Sequence, residues 1–193
     1  FSAKVILCEP VRDQADSSEP TWSVILDRTG FYPESGGQLC DQGNLEDAHV
    51  LHVGINEGVI IHTVDRPLAH GPITGKIDQF RRDQISQHHT SVHIVGGSAR
   101  EILGSHIWQA GSYKSEQLAR LDITHFNRLT RDQLDEIEDH ANAIVAENRR
   151  VLTTVLDRAD ADKEHGFSIY QGGPPKHDRI RVVEVEGHDI QAC

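Results

Sequence analysis

The chain has 193 residues, a formal net charge of −11 and an apolar fraction of 37%, so it is long enough for one large domain or two small ones. This composition argues against a disordered or collagen-like chain, and no apolar run approaches the roughly 18 residues of a membrane-spanning helix. The acidic balance argues against a protein that coats nucleic acid nonspecifically, because such binding requires a basic surface. The three cysteines form no CxxC pair, so we expect no disulfide scaffold and a cytoplasmic location.

The first part of the chain, from residue 1 to about residue 75, is predicted to contain short strands separated by turns. Runs of β-branched and apolar residues predict strands at Ala3–Cys8, Trp22–Leu26, Ala48–Ile55 and Val59–Val64. Glu57-Gly58 predicts a tight turn between the last two strands. Several short strands joined by glycine and proline turns indicate a small barrel or a sandwich.

From about residue 76 the pattern changes to long helices that alternate with strands. Over Phe80–Leu103 apolar or small side chains recur every three or four residues, which predicts a helix with one buried face. Gly104 would end this helix. The predicted buried face consists of Ile85, His89, Val92, Val95, Ala99 and Ile102.

A second long helix is predicted after Thr130, because Thr130 and Gln133 have the spacing of a capping box. Its predicted buried face consists of Leu134, Ile137, Ala141, Ile144 and Val145. The other predicted elements are strands at Ile107–Tyr113, Leu118–Ile123, Val151–Leu156 and Arg179–Val185, and a short helix at Asp157–His165. The predicted architecture is α+β in two domains, a barrel-like domain at residues 1–75 and an α+β domain at residues 76–193.

The clearest chemical signal is a pair of histidines on the first long helix. His89 and His93 are four residues apart, so both side chains lie on one helix face and could bind one Zn²⁺ ion. His88 points about 100° away around the helix and is the weaker candidate. Zn²⁺ needs a third ligand, and Cys193 could supply a thiolate, since it lies at the end of a strand predicted from Val182–Val185 through His188–Cys193. The alternatives are ordinary hydrogen-bonded histidines and a cysteine that packs as a small apolar residue.

The second signal is the tripeptide Gly36-Gly37-Gln38. Two glycines allow the backbone to approach a ligand closely, and the glutamine amide can both donate and accept a hydrogen bond. A tight turn within a barrel is the more common explanation of the same residues. The tripeptide also occurs in peptide release factors, which hydrolyse an ester on tRNA, but nothing else in this chain resembles that family.

Five motifs occur in the order that they have in one known family. They are Asp27–Gln38 (DRTGFYPESGGQ), His89–His93 (HTSVH), Leu103–Gly111 (LGSHIWQAG), Ala119–Phe126 (ARLDITHF) and Gln191–Cys193 (QAC). Through them the whole chain resembles the editing region of archaeal alanyl-tRNA synthetase and the related free-standing alanyl-tRNA editing proteins. The resemblance implies a barrel-like first domain. It also implies a second domain with two long helices on an antiparallel sheet, as in the editing modules of threonyl-tRNA synthetase.

The resemblance also implies a function for these motifs. It implies Zn²⁺ bound by His89, His93 and Cys193. A fourth ligand, a histidine four residues beyond Cys193, lies past the end of the sequence, so we expect an incomplete metal site. The resemblance places Thr29 and Gln38 in the amino-acid pocket, on a loop that includes Gly36 and Gly37. Gln38 would orient the ester or a water molecule, and Thr29 would recognise the serine hydroxyl.

The implied reaction is hydrolysis of the ester in Ser-tRNA(Ala) and Gly-tRNA(Ala), with the acceptor end of tRNA(Ala) as partner. The parent enzyme would ligate alanine to tRNA(Ala) with ATP, and it could be dimeric. A path for the tRNA would be formed by the basic residues Arg81, Arg82, Arg100, Lys114, Arg120 and Arg128, although solvated side chains explain each one equally well.

Two alternatives to the synthetase fragment are kept. One is a free-standing editing protein with the same chemistry, and the other is a zinc or tRNA-docking module without catalysis. The sequence contains no methionine, which predicts a piece of a longer chain.

Overall fold

The computed structural model describes residues 1–11, 19–170 and 178–193. Within these ranges the chain forms two compact units, Phe1–Ser86 and Gln87–Cys193. The division falls inside the first helix, whereas the sequence pattern placed a boundary between residues 75 and 76. No helix in the described ranges has the length and the apolar character that crossing a membrane requires.

The first unit is a closed antiparallel barrel. Its strands are β1 (Ser2–Pro10), β2 (Trp22–Leu26), β3 (Gly43–Leu45), β4 (Ala48–Asn56), β5 (Val59–Val64) and β6 (Gly71–Ile77). They pair in the order β1-β2-β5-β4-β3-β6, and β6 pairs with β1 to close the barrel. The predicted barrel is therefore confirmed, and the sandwich alternative is wrong.

The barrel interior is filled by the inward-facing side chains of these strands. Alternate residues such as Ala3 and Val5 on β1 are buried, and Val24, Leu45, Val53 and Val64 are fully buried. Strands β3 and β6 were not predicted. The first has only three residues, and the second contains Gly71, Pro72 and Gly75, which are poor strand formers.

Among the described residues, the second unit contains three helices and two antiparallel sheets, and helix α1 (Gln79–Leu103) begins before the boundary of this unit. The remaining elements are β7 (Gln109–Lys114), β8 (Ala119–Ile123), α2 (Arg131–Ala146), β9 (Val151–Asp157), α3 (Arg158–His165), a 3₁₀ turn (Phe167–Ile169), β10 (Arg179–Val185) and β11 (Asp189–Ala192). Strands β7 and β8 form a pair, and the larger sheet has the order β11-β10-β9.

Both long helices pack with the larger sheet, as predicted. Ile94 of α1, Ala141 and Ile144 of α2, and Val185 of β10 form one buried cluster. The capping box is confirmed, since the Thr130 hydroxyl accepts from the Gln133 N–H at 3.2 Å and Gln133 Oε1 accepts from the Thr130 N–H at 3.0 Å. Helix α1 ends before Gly104, which has a φ of 112°.

Three predictions about buried helix faces were wrong. Val95, Leu134 and Val145 are 37%, 44% and 58% exposed. Helix α2 buries only the narrow stripe of Ile137, Ala141 and Ile144. On α1 the residues around Val95 are buried, and they include His93, Ile94 and the small residues of the range 96–99.

Candidate functional site

Three potential metal ligands converge in the second unit. His89 and His93 lie one turn apart on α1, and their rings stack with centroids 5.2 Å apart. Cys193 follows β11, and its Sγ lies 3.2 Å from His93 Nε2. One ligand atom from each of the three residues lies within 4.8 Å of the others. The structure therefore brings together the three residues that were proposed as ligands from the sequence.

A buried carboxylate holds one of these histidines in place. Asp189 Oδ2 accepts a hydrogen bond from His93 Nδ1 at 3.0 Å, and Asp189 is only 4% exposed. The same carboxylate accepts from Arg100 at 3.1 Å and from Gln191 at 2.7 Å. His93 Nδ1 is used by this hydrogen bond, and Nε2 faces Cys193. Nε2 is therefore the nitrogen that would bind a metal. Metal-ligating histidines usually have such a carboxylate behind them.

Asp189 was not predicted to have a role, and Arg100 was predicted to contact tRNA. The signal for Asp189 is the alternation along β11, where Asp189 and Gln191 are both buried. Two polar residues at inward positions of one strand indicate a buried hydrogen-bond network.

The pKa values of His89 and His93 are shifted in opposite directions. Burial, together with the charges of Lys114, His93 and Arg181, lowers the pKa of His89 to about 3. Burial also opposes a charge on His93, but hydrogen bonds to Asp189 and Cys193 outweigh it and raise the pKa of His93 to about 9. His89 is therefore neutral at pH 7 and able to bind a metal, whereas a bound metal would displace a proton from His93.

The three ligands fit a transition metal ion of intermediate softness. Two imidazoles and a thiolate are ligands that Zn²⁺ prefers, and three protein ligands are enough for a site with an open position. His88 is not part of this cluster, because its Nδ1 lies 2.6 Å from the Ser115 carbonyl oxygen in the β7–β8 turn.

In the first unit, the glycine tripeptide forms a tight turn. Gly36 and Gly37 have φ angles of 58° and 75°, and Ser35 and Gln38 exchange backbone hydrogen bonds of 2.9 and 3.2 Å. Both central residues of such a two-residue turn need a positive φ, which glycine adopts without strain. The tight-turn interpretation is thus confirmed.

The turn places the Gln38 side chain at a pocket of about 300 Å³, and Gln38 is only 7% exposed. The pocket is lined by Gly30, Phe31, Tyr32, Pro33, Gln38, Arg82 and Ser86. This volume is at the lower end of the roughly 300–1,000 Å³ range of small-molecule sites, so it suits a ligand as small as an amino acid.

An ion pair holds the walls of this pocket. Asp41 is buried and pairs with Arg82 on α1, and Asp41 Oδ2 accepts from the Tyr32 N–H at 2.6 Å. Arg82 also donates to the Gly30 carbonyl at 2.6 Å. Both ends of the segment that lines the pocket are therefore fixed to the same pair of charges.

Thr29 belongs to the same loop but is not among the residues that line the pocket. Its Oγ1 lies 2.9 Å from Nε2 of His62, which is fully buried, and accepts from the Phe31 N–H at 3.0 Å. His62 Nδ1 faces the Val24 carbonyl at 3.1 Å and must carry the ring proton. Burial lowers the pKa of His62, which keeps it neutral.

It follows that Thr29 donates its hydroxyl proton to His62 Nε2 and has one lone pair left for a ligand. His62 was not predicted as a site residue, although a histidine at an inward position of β5, two residues before Val64, is a signal in the sequence.

Several of the basic residues that were expected to guide tRNA have internal partners. Arg81 is buried and donates to the Cys40 carbonyl at 3.3 and 3.2 Å. Lys114 is buried and donates to Ser112 Oγ at 2.7 Å. Arg82 and Arg100 pair with aspartates, as described above. Arg120 and Arg128 are the exposed members of the set.

A closed barrel followed by an α+β unit with a His₂Cys donor set defines an α+β protein with a candidate metal centre. No protein-family model matches the chain. Curated relatives are archaeal alanine–tRNA ligases, the enzymes also called alanyl-tRNA synthetases. The chain is 44% identical to the one from Methanosarcina barkeri over 181 residues, which are 89% of this chain and 20% of that ligase.

Two other relatives match over the same share of their length. Identity is 44% with the Halorubrum lacusprofundi ligase, over 91% of this chain and 19% of that ligase. It is 48% with the Methanothrix thermoacetophila ligase, over 89% of this chain and 19% of that ligase. The chain is therefore related to a segment of archaeal alanine–tRNA ligases, and it spans about one fifth of their length. The resemblance to archaeal alanyl-tRNA synthetase that was found in the sequence is confirmed.

Proposed function

We propose that this chain is an editing module of an alanine–tRNA ligase, which hydrolyses the ester of Ser-tRNA(Ala) and Gly-tRNA(Ala). The observation that carries the proposal is the convergence of His89, His93 and Cys193, with Asp189 behind His93. The relation to alanine–tRNA ligases and the order of the five motifs supply the substrate class. Catalysis of aminoacylation with ATP, a dimeric parent and a cytoplasmic location belong to the same proposal for the whole enzyme.

His89, His93 and Cys193 would hold Zn²⁺. When bound, Zn²⁺ supplies a Lewis acid that can activate a water molecule or polarise a carbonyl. Asp189 fixes the ring of His93 so that Nε2 stays available. Water attacks the carbonyl carbon of the ester, the bond from this carbon to the ribose oxygen breaks, and the ribose oxygen takes up a proton.

The loop of the first unit would recognise the amino acid. A pocket built for alanine cannot exclude glycine and rejects serine only weakly, so an enzyme that ligates alanine needs a second, hydrolytic site. Gln38 can orient the ester or the water through its amide, which the Gly36-Gly37 turn positions. Thr29 can accept a hydrogen bond from the serine hydroxyl, because its own proton is directed to His62.

The acceptor end of tRNA(Ala) is the proposed partner. The exposed residues Arg120 and Arg128 can contact its phosphates. A net charge of −11 does not conflict with this, since one tRNA end needs only a local basic path.

The test is a deacylation assay with the untagged chain, Zn²⁺, and tRNA(Ala) charged with radiolabelled serine or alanine. We expect release of serine well above the spontaneous rate, and loss of this activity in His89→Ala/His93→Ala and after chelation. His88→Gln is the matched control, because it changes a histidine on the same helix and keeps a donor for Ser115.

Equal rates for the wild type and the double variant would contradict the proposal. A wild-type chain that is loaded with metal but releases no serine would support the non-catalytic docking module instead.

A further inference from the structure

A second group of potential metal ligands lies in the second unit and shares no residue with the first. Glu101 is on α1, His140 is on α2, and His188 is in the turn between β10 and β11. One ligand atom from each lies within 4.8 Å of the others. The group therefore connects three separate elements of the unit.

The hydrogen bonds at the outer nitrogens of the two histidines turn their other nitrogens toward Glu101. His188 Nε2 lies 2.9 Å from the Ile94 carbonyl oxygen, which can only accept, so Nε2 carries a proton. His140 Nδ1 lies 3.0 Å from Ser98 Oγ, which can accept its proton. The remaining nitrogens, His188 Nδ1 and His140 Nε2, lie 3.2 and 3.1 Å from the two oxygens of Glu101.

This arrangement is the one that metal-binding histidines have. The outer nitrogen of each ring is hydrogen-bonded to the protein, which fixes the ring and leaves the inner nitrogen for a metal. Ser98 is fully buried, and the side chain of His188 is 0% exposed. Each outer contact therefore has at least one partner that is shielded from water.

The helix α1 makes room for one of the rings. A Cβ atom at Gly97 would lie 2.6 Å from His188 Nε2, so a larger residue there would displace the imidazole. The other side of the group is open, since the side chains of His140 and Glu101 are 33% and 52% exposed. A metal ion could enter from that side and keep water molecules in its open positions.

We propose that Glu101, His140 and His188 form a second metal site, for a divalent transition ion that accepts imidazole and carboxylate ligands, such as Zn²⁺. Two imidazoles and one carboxylate suit Zn²⁺ better than Mg²⁺ or Ca²⁺, which prefer oxygen ligands. The ion would cross-link α1, α2 and the β10–β11 turn. Asp189, which holds His93, follows His188 directly, so the ion would also fix the strand that supports the first cluster.

A third group in the described residues provides the control. Glu34, Cys40 and His52 in the barrel also have ligand atoms within 4.8 Å of one another. There a single nitrogen, His52 Nδ1, faces both Cys40 Sγ at 3.5 Å and Glu34 at 3.7 Å. Burial raises the pKa of the Cys40 thiol, which disfavours a thiolate ligand. We expect no metal at this group.

The experiment is metal titration of the untagged, chelator-stripped chain with Co²⁺ and with Zn²⁺. Bound metal is counted by plasma mass spectrometry, and the near-ultraviolet thiolate-to-Co²⁺ band reports occupancy of the cluster that contains Cys193. We expect Glu101→Gln and His140→Gln to bind one equivalent less than the wild type and to keep the thiolate band. His52→Gln should bind as much as the wild type.

Equal metal content in the wild type, Glu101→Gln and His140→Gln would overturn the second site and leave Glu101 as a hydrogen-bond bridge. Circular dichroism checks the fold, and the exposed position of Glu101 makes Glu101→Gln the milder variant. The result is independent of the proposed deacylase activity, because the thiolate band and serine release report on the first cluster alone.

Discussion

The two units build their functional groups in different ways. In the barrel unit the candidate residues lie on one loop, and contacts to the strands of that unit and to the start of α1, 33 to 52 residues away in the sequence, hold them. In the α+β unit the candidate ligands lie on a helix and after a strand, and His93 is joined to a carboxylate 96 residues away in the sequence. The first group consists of neutral hydrogen-bonding side chains, and the second consists of ionisable donors.

This difference suggests that the two units have separate functions, amino-acid recognition in one and metal binding in the other. Neutral donors and acceptors on a fixed loop can distinguish two amino acids that differ by a hydroxyl, because the wrong one leaves polar groups unpaired. Histidine and cysteine on regular elements can hold a metal in a defined geometry. Changes in one unit should then affect recognition, and changes in the other should affect metal binding.

The largest expected effect is on the stability of the barrel unit. Asp41→Ala should lower the free energy of unfolding by about 3 kcal/mol, because it leaves Arg82 without its buried partner and frees the Tyr32 N–H. Chemical denaturation measures this effect, with Asp47→Ala as the control, since Asp47 forms only an exposed ion pair. A change below about 0.5 kcal/mol, the usual size for a surface site, would show that the ion pair does not hold the loop.

The next effect should be confined to the α+β unit. Asp189→Asn should weaken binding at the His89, His93 and Cys193 cluster by about 10–100-fold, the usual effect of losing the partner behind a ligating histidine. Titration with Co²⁺, followed by the thiolate band, gives the affinity. Asp122→Asn is the matched control, because the ion pair that Asp122 forms among the described residues is with the exposed Arg120. An unchanged affinity would contradict the role assigned to Asp189.

The smallest effect depends on pH and belongs to the barrel unit. His62 has a lowered pKa in the folded protein, so the unfolded chain takes up its proton first as pH falls. The contribution of His62 to stability is complete above its ordinary pKa of about 6.5 and is lost below it, by at most about 1.4 kcal/mol per pH unit. His62→Gln should therefore lose less stability than the wild type between pH 7 and pH 5. An equal loss of stability in the wild type and in His62→Gln between pH 7 and pH 5, measured by chemical denaturation, would contradict a neutral His62.

Much of this organisation was predictable from the sequence, and the missing parts have a physical reason. The spacing of His89 and His93 is local, and so is the capping box of Thr130. The hydrogen bond from His93 to Asp189 and the contact of His62 with Thr29 join residues that are distant in the sequence, and the periodicity of a segment does not predict such contacts. Strands β3 and β6 were missed because barrel closure outweighs their weak propensity.

The proposed separation of recognition and metal binding between the two units is tested most directly by the ratio of kcat/KM for Ser-tRNA(Ala) to that for Ala-tRNA(Ala). It should be measured for the wild type, Thr29→Val, Thr29→Ser and His93→Ala, with metal content determined for each. We expect Thr29→Val to lower the ratio by at least about 10-fold without loss of metal, since it removes the proposed partner of the serine hydroxyl. Thr29→Ser should retain the ratio. His93→Ala should lower both rates and the metal content together. An unchanged ratio in Thr29→Val, or one that falls only with metal content, would contradict the account.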